Sequence, residues 1–140
     1  MRLIILSLFC LLFLALPAKA EECCEKIDCR ICLFEWRVMR LCNEEREKRG
    51  IAPLKRAAEL ITACRKHSAV QRAKRSMHHG SLRGCSAENV ANTGGDGSPE
   101  QVVRMWMNSS GHRANILNRR WKCIGYGRSS CGRYHTQQFK

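Results

Sequence analysis

The stretch Trp106-Met107-Asn108-Ser109-Ser110-Gly111-His112-Arg113-Ala114-Asn115-Ile116-Leu117 decides how the chain reads. An apolar helix end runs into Gly111, whose backbone freedom lets a helix stop. His112 follows where the chain changes direction, so its imidazole can point inward. Just upstream, Ser98-Pro99-Glu100-Gln101 starts the same helix: Ser98 suits the cap, Pro99 the first helical position and Gln101 the far corner of a capping box. Val102, Val103, Met105 and Trp106 supply its buried side. Before it, Asn-Thr-Gly-Gly-Asp-Gly over residues 92–97 reads as a surface loop. After it, residues 123–128 and 133–139 flank the polar turn Ser129-Ser130-Cys131-Gly132, which predicts a hairpin. Gly125 and Gly127 interrupt the side-chain row of its first strand, where something must pack close.

Two helices precede this unit. Ile31, Phe34, Val38 and Leu41 recur at helical spacing over residues 31–45, and the helix ends near Gly50, before Pro53. Leu54, Ala57, Ile61, Cys64 and Ser68 form one stripe of a second helix over residues 54–75. No internal repeat is evident. Helices first, then a loop, a helix and a hairpin, give an α+β chain.

Residues 1–20 have the form of a secretory leader: Arg2, an apolar run over 3–16, and Pro17-Ala18-Lys19-Ala20 with an A-x-A ending. The run is short for a membrane span, so the expected mature product is exported and not transmembrane. A cysteine-rich segment over 21–33 and one domain over 34–140 follow. The full chain has a formal net charge of +13. Removing Arg2 and Lys19 leaves 23 basic against 12 acidic residues, a balance of +11. Such a surface favours anionic partners, but the basic residues are spread out and aromatics do not interleave with them, so no specific nucleic-acid partner is expected.

Ten cysteines are present, and Cys10 falls in the leader. The other nine are Cys23, Cys24, Cys29, Cys32, Cys42, Cys64, Cys85, Cys123 and Cys131. In an exported chain of this size they predict a disulfide framework. The Cys23-Cys24 and Cys29-x-x-Cys32 group also reads as half of a zinc site, but no matching second half exists. An odd count leaves one thiol free or shared with a second chain, so a monomer and a disulfide-linked dimer both stay open. Cys42 and Cys64, each on a predicted helix, are one testable bridge.

Three further motifs join the opening stretch: Ala87-Glu88-Asn89-Val90-Ala91, His67-Ser68 with His78-His79, and Tyr134-His135-Thr136-Gln137-Gln138-Phe139. Together they resemble the CAP superfamily of cysteine-rich secretory, antigen 5 and pathogenesis-related 1 proteins, whose bacterial and small eukaryotic branches show W-M-x-S-x-G-H-R-x-N-I-L most openly. Leu41-Cys42-Asn43-Glu44-Glu45-Arg46, through Gly50-Ile51-Ala52-Pro53-Leu54, is similar to the opening of that family. The resemblance implies a three-layer α-β-α sandwich, here disulfide-stapled. It also implies a central cleft in which His79, with His78 beside it as the alternative, Glu88 and His112 fall on family positions, supported by Asn89, Ser109, Gly111 and Arg113. His67 corresponds to a packed wall histidine.

Two imidazoles and a carboxylate are ingredients for a weak Zn²⁺ or Mg²⁺ site with a coordination position left for water. The family's second acid is Ser109 here, which brings no charge. The alternative is a hydrogen-bonded polar cluster in the cleft wall. No H-E-x-x-H pattern or nucleophile-base-orienter grouping is present, so no catalytic residue is assigned. Asn108-Ser109-Ser110 is formally an N-glycosylation sequon. The resemblance points to an extracellular, non-enzymatic protein that binds a sterol or fatty acid, or engages a target surface, in a defence or effector role. The alternatives are a cationic, disulfide-stapled antimicrobial or toxin-like protein and, third, a metal-dependent hydrolase.

Overall fold

The computed structural model describes residues 29–140, with side chains from Leu33 onward. The leader over 1–20 and the side chains of Cys23, Cys24, Cys29 and Cys32 therefore lie outside the described residues. The elements in chain order are α1 (Cys29–Glu47), β1 (Lys55–Arg56), α2 (Ala58–Lys74), β2 (Ala87–Asn92), α3 (Pro99–Asn108), α4 (Ser110–Ile116), β3 (Cys123–Arg128) and β4 (Tyr134–Phe139). The four strands make one sheet in the order β1-β3-β4-β2. β1 runs parallel to β3, and the other neighbours are antiparallel.

Period-two alternation in the hairpin sorts the layers. Ile124, Tyr126 and Phe139 face α1 and α3, where Val38, Met39, Cys42, Val102, Val103 and Trp106 close the larger core. Gly125 and Gly127 face α2. A Cβ on Gly125 would collide with Leu60 Cβ, and one on Gly127 with the Arg65 backbone nitrogen. Only a strand without side chains at these two positions lets the helix backbone come so near. Helices on both faces of a mixed sheet make the α-β-α sandwich that the motifs imply.

The hairpin forms as its turn chemistry predicts, and Gly132 takes the left-handed conformation (φ +70°) that closes it. Ser98 caps α3, its Oγ accepting the Gln101 N–H at 3.1 Å. Three expectations need correction. The break after α3 falls at Ser109, which adopts an extended conformation (φ −96°, ψ 124°), while Gly111 sits inside the first turn of α4. The second helix starts at Ala58, not Leu54, because Pro53 delays it and Lys55–Arg56 pair with Cys123 and Ile124 first. Met105, expected on the buried side of α3, is exposed instead. Residues 87–92, to which the sequence assigned no element, form an edge strand paired along its length with β4.

The proposed Cys42–Cys64 bridge does not form. Cys42 lies on α1 beneath the sheet face that carries Gln137, whose Nε2 approaches its sulfur at 3.1 Å. Cys64 lies on α2 against the opposite face, so the sheet stands between the two thiols. Cys42, Cys64, Cys85, Cys123 and Cys131, the five cysteines with described side chains, are all free. Among the described residues no helix is long and apolar enough to cross a membrane.

Candidate functional site

Glu88 and Asn89 are neighbours on β2, so their side chains leave opposite faces of the sheet. Glu88, 5 % exposed, turns toward the α2 side. Its Oε1 accepts the Gly80 N–H at 2.8 Å and faces His79 Nδ1 at 3.1 Å. Its Oε2 accepts from Gln138 Nε2 at 2.9 Å. The segment carrying His79 is itself tied to α2, because His67 Nε2 meets the His78 carbonyl at 2.8 Å. His67 and His78 also pack edge to face, 5.2 Å between centroids. His67 is thus a wall residue, as its motif implies. Gly80 is small for a reason: a Cβ there would sit 3.0 Å from His67 Nδ1 and 3.2 Å from Glu88 Oε2.

Asn89, fully buried, turns to the other face and anchors α4. Its Nδ2 donates to the His112 carbonyl at 3.1 Å and to Gln137 Oε1 at 3.0 Å. Its Oδ1 accepts from Asn115 Nδ2 at 2.8 Å. Asn89 therefore fixes where His112 emerges and has no polar atom to spare for a ligand. Arg113 closes the α3–α4 corner, donating to the Met107 carbonyl at 2.8 Å. Ser109 makes that corner, Gly111 is open to space, and Asn108 is exposed at the end of α3.

His79 and His112 approach each other around the β2 edge. Partial burial, with the His79 ring nearby, holds the His112 imidazole below its usual range, so it is neutral at pH 7. His79 is the outer member of the group, its side chain 62 % exposed.

Beside His112, along the outer edge of β2, lies a cavity of about 210 Å³. Met77 and Met105 form its rim, and Val90, Ala91 and Trp106 its floor. Trp106 is held in place by its indole N–H, which donates to the Val90 carbonyl at 3.2 Å. Met77 is 49 % and Met105 38 % exposed. Thioethers on a rim supply an apolar, adaptable contact.

A divalent ion fits these residues poorly. Both Glu88 oxygens are engaged by donors from residues 79, 80 and 138, and Ser109 adds no charge to the group. Among the described residues no three His, Cys, Asp or Glu side chains are arranged to hold a metal ion. The geometry matches the alternative of a hydrogen-bonded cluster that positions the cleft wall.

Residues 39–139 match the model of the cysteine-rich secretory protein family, CAP. The chain belongs to the CAP family. The uncharacterized protein YkwD of Bacillus subtilis is 35 % identical over 140 residues, covering 88 % of this chain and 54 % of that relative. The CAP chain thus spans about half the length of the curated relative it matches. Solved structures share its fold. An extracellular protein containing an SCP domain from Bacillus anthracis aligns with TM-score 0.68 and 22 % identity, over 75 % of this chain and 39 % of that one. An outer surface protein from Borrelia burgdorferi gives 0.61 and 18 %, over 73 % and 87 %. A cysteine-rich secretory protein from Staphylococcus aureus gives 0.55 and 19 %, over 73 % and 36 %.

Sequence reasoning about this CAP domain missed Gln138, which holds Glu88, and the methionine rim. The signal for Gln138 was available: it sits one residue before the end of a strand that pairs with the Ala87-Glu88-Asn89 motif. Met77 carried no such signal, and helical spacing placed Met105 on the buried side of α3 when it is in fact exposed at the rim.

Proposed function

We propose that this CAP-domain chain is an exported, non-enzymatic protein that binds the acyl end of a fatty-acid-like molecule in the cleft between Met77 and Met105. The carrying observation is the apolar cavity beside His112, with two exposed thioethers at its mouth. Its volume of about 210 Å³ lies below the roughly 300–1,000 Å³ of sites that enclose a drug-sized ligand. That size favours one end of an acyl chain over a whole sterol. His79 and His112 at the polar side give a carboxyl head hydrogen-bonding partners. Export rests on the leader pattern over residues 1–20.

The closed carboxylate of Glu88 weighs against metal-dependent hydrolysis, since it has no free oxygen to orient a reacting water. The test is a titration of the mature protein with a fluorescent fatty acid at low and high salt. Saturable binding that survives salt and weakens about tenfold in a Met77→Gln/Met105→Gln variant supports the proposal. Binding that disappears with salt, or that the variant leaves unchanged, overturns it; the former points to the cationic surface instead.

A further inference from the structure

A hollow larger than the cleft at β2 lies beside α2. It forms where the C-terminal end of α2 meets the β3–β4 turn, and has a volume of about 600 Å³. Three guanidinium groups line it: Arg72 and Arg75 from α2 and its cap, and Arg133 from the turn. Tyr134, 4 % exposed, closes one side, with Gly95 and Cys131 completing the wall. One of these side chains is tied across the hollow, and the backbone sets where a second one starts. Arg72 Nη1 donates to Ser130 Oγ at 2.8 Å, and Arg75 adopts a left-handed cap conformation (φ 50°) that turns the chain over the hollow.

Among the described residues, no carboxylate lines this hollow to balance the three charges. Asp96, at the nearby turn, is already engaged by Arg128 at 2.8 Å. Like charges gathered this way repel one another unless something anionic sits among them. The Cys131 thiol lies on the wall of the hollow. Burial pushes it up, but the Ser129 hydroxyl, the Arg133 amide and the Arg72 charge together outweigh burial and bring it below the usual thiol range.

We propose that the hollow between the end of α2 and the β3–β4 turn binds a phosphate or sulfate ester, with Arg72, Arg75 and Arg133 as its countercharges. A lone carboxylate is satisfied by one bidentate guanidinium, whereas a tetrahedral ester oxyanion presents oxygens to several. The hollow is also far larger than an inorganic anion, and its room beside Tyr134 accommodates the esterified group. The ester's source is either a soluble molecule or a lipid headgroup.

The test is calorimetric titration of the mature protein with inorganic pyrophosphate. A second arm uses phosphatidylcholine vesicles with and without phosphatidic acid. The site variant is Arg72→Gln/Arg75→Gln/Arg133→Gln. The charge-matched control is Arg83→Gln/Arg104→Gln/Arg120→Gln, three exposed arginines elsewhere on the surface. Saturable pyrophosphate binding that weakens about tenfold or more in the site variant, with the control near wild type, supports the proposal. Vesicle binding that pyrophosphate competes away then assigns the lipid source, and its lack assigns a soluble ester. No saturable binding by the wild type, or equal losses in both variants, overturns the proposal and leaves only diffuse attraction to net charge.

Discussion

Glu88 is where one side chain holds the most structure together. Three donors from residues 79, 80 and 138 converge on its carboxylate. Glu88→Ala leaves the Gly80 N–H and the Gln138 amide without that acceptor in a buried site. The expected cost is about 3 kcal/mol, read from the urea midpoint; a loss below about 1 kcal/mol would show that water replaces the carboxylate easily. His135 gives the residue scale its pH dependence. Its ring is wholly buried, with Nδ1 2.8 Å from the Tyr126 hydroxyl and Nε2 3.1 Å from Thr93 Oγ1. One nitrogen accepts and the other donates, so the neutral ring is satisfied. Burial is the main reason its pKa falls to about 4, Arg128 adding to it, while Asp96 and the Gly132 backbone oppose it. The unfolded chain therefore takes up the proton first as pH drops. The His135 contribution is complete above pH 6.5 and is lost progressively down to about pH 4, worth about 3 kcal/mol over that interval. Urea titrations should show His135→Gln with a flatter stability profile there; an unchanged slope would remove His135 as the cause.

At the scale of elements, the glycines separate packing from propensity. Gly127 lies against the backbone of α2, so Gly127→Ala forces helix and sheet apart at a cost of about 3 kcal/mol. Gly111 sits in α4 with nothing within 4 Å of where a Cβ would go. Gly111→Ala should therefore stabilise, by about 0.5 kcal/mol. Thermal melts of the two variants should move in opposite directions, and movement in the same direction would contradict the placement of one of them. The close approach at Gly125 and Gly127 was legible in the sequence because two glycines at a spacing of two leave one face of a strand bare. Ser98-Pro99 was legible for a similar reason: capping is local chemistry. Ser98→Ala should cost about 1 kcal/mol. The break at Ser109 was less legible. Gly111 attracted the assignment, but a helix ends where its backbone hydrogen bonds are redirected, and here Arg113 and Asn89 secure the new direction with side-chain bonds from beyond the glycine. The short strand β1 was hidden because its pairing with β3 is made by residues almost seventy positions later, which local periodicity cannot report.

For the molecule as a whole, the least legible feature is how polar its centre is. β4 reads Tyr-His-Thr-Gln-Gln-Phe, yet every residue of it is buried, with neighbours on both edges and helices on both faces. The polar side chains are tolerated there because each finds a partner from another element. Thr136 accepts from Gln71 and Ser68 on α2, while Gln137 meets Asn89 and Cys42 on the opposite side. Hydropathy alone gives such a strand no reason to lie at the centre. The sheet's role as a partition also predicts how the thiols behave. Cys42 and Cys64 are both wholly buried. Burial, more than any neighbour, pushes the Cys42 thiol up to about 12 and the Cys64 thiol well above its ordinary value. Cys131 is exposed, and its thiol is shifted the other way. Timed alkylation at pH 7, followed by peptide mapping, should therefore modify Cys131 first. Cys42 and Cys64 should react only as fast as the whole domain opens, both accelerating with urea in proportion to the unfolded fraction. Because the two thiols belong to different layers, equal protection would mean that both helical layers leave the sheet in one cooperative step. If Cys64 reacted before Cys42 at low urea, α2 would be a separately opening unit held mainly by its glycine contacts. A Cys42–Cys64 disulfide in non-reducing maps of the native protein would be incompatible with the sheet lying between them.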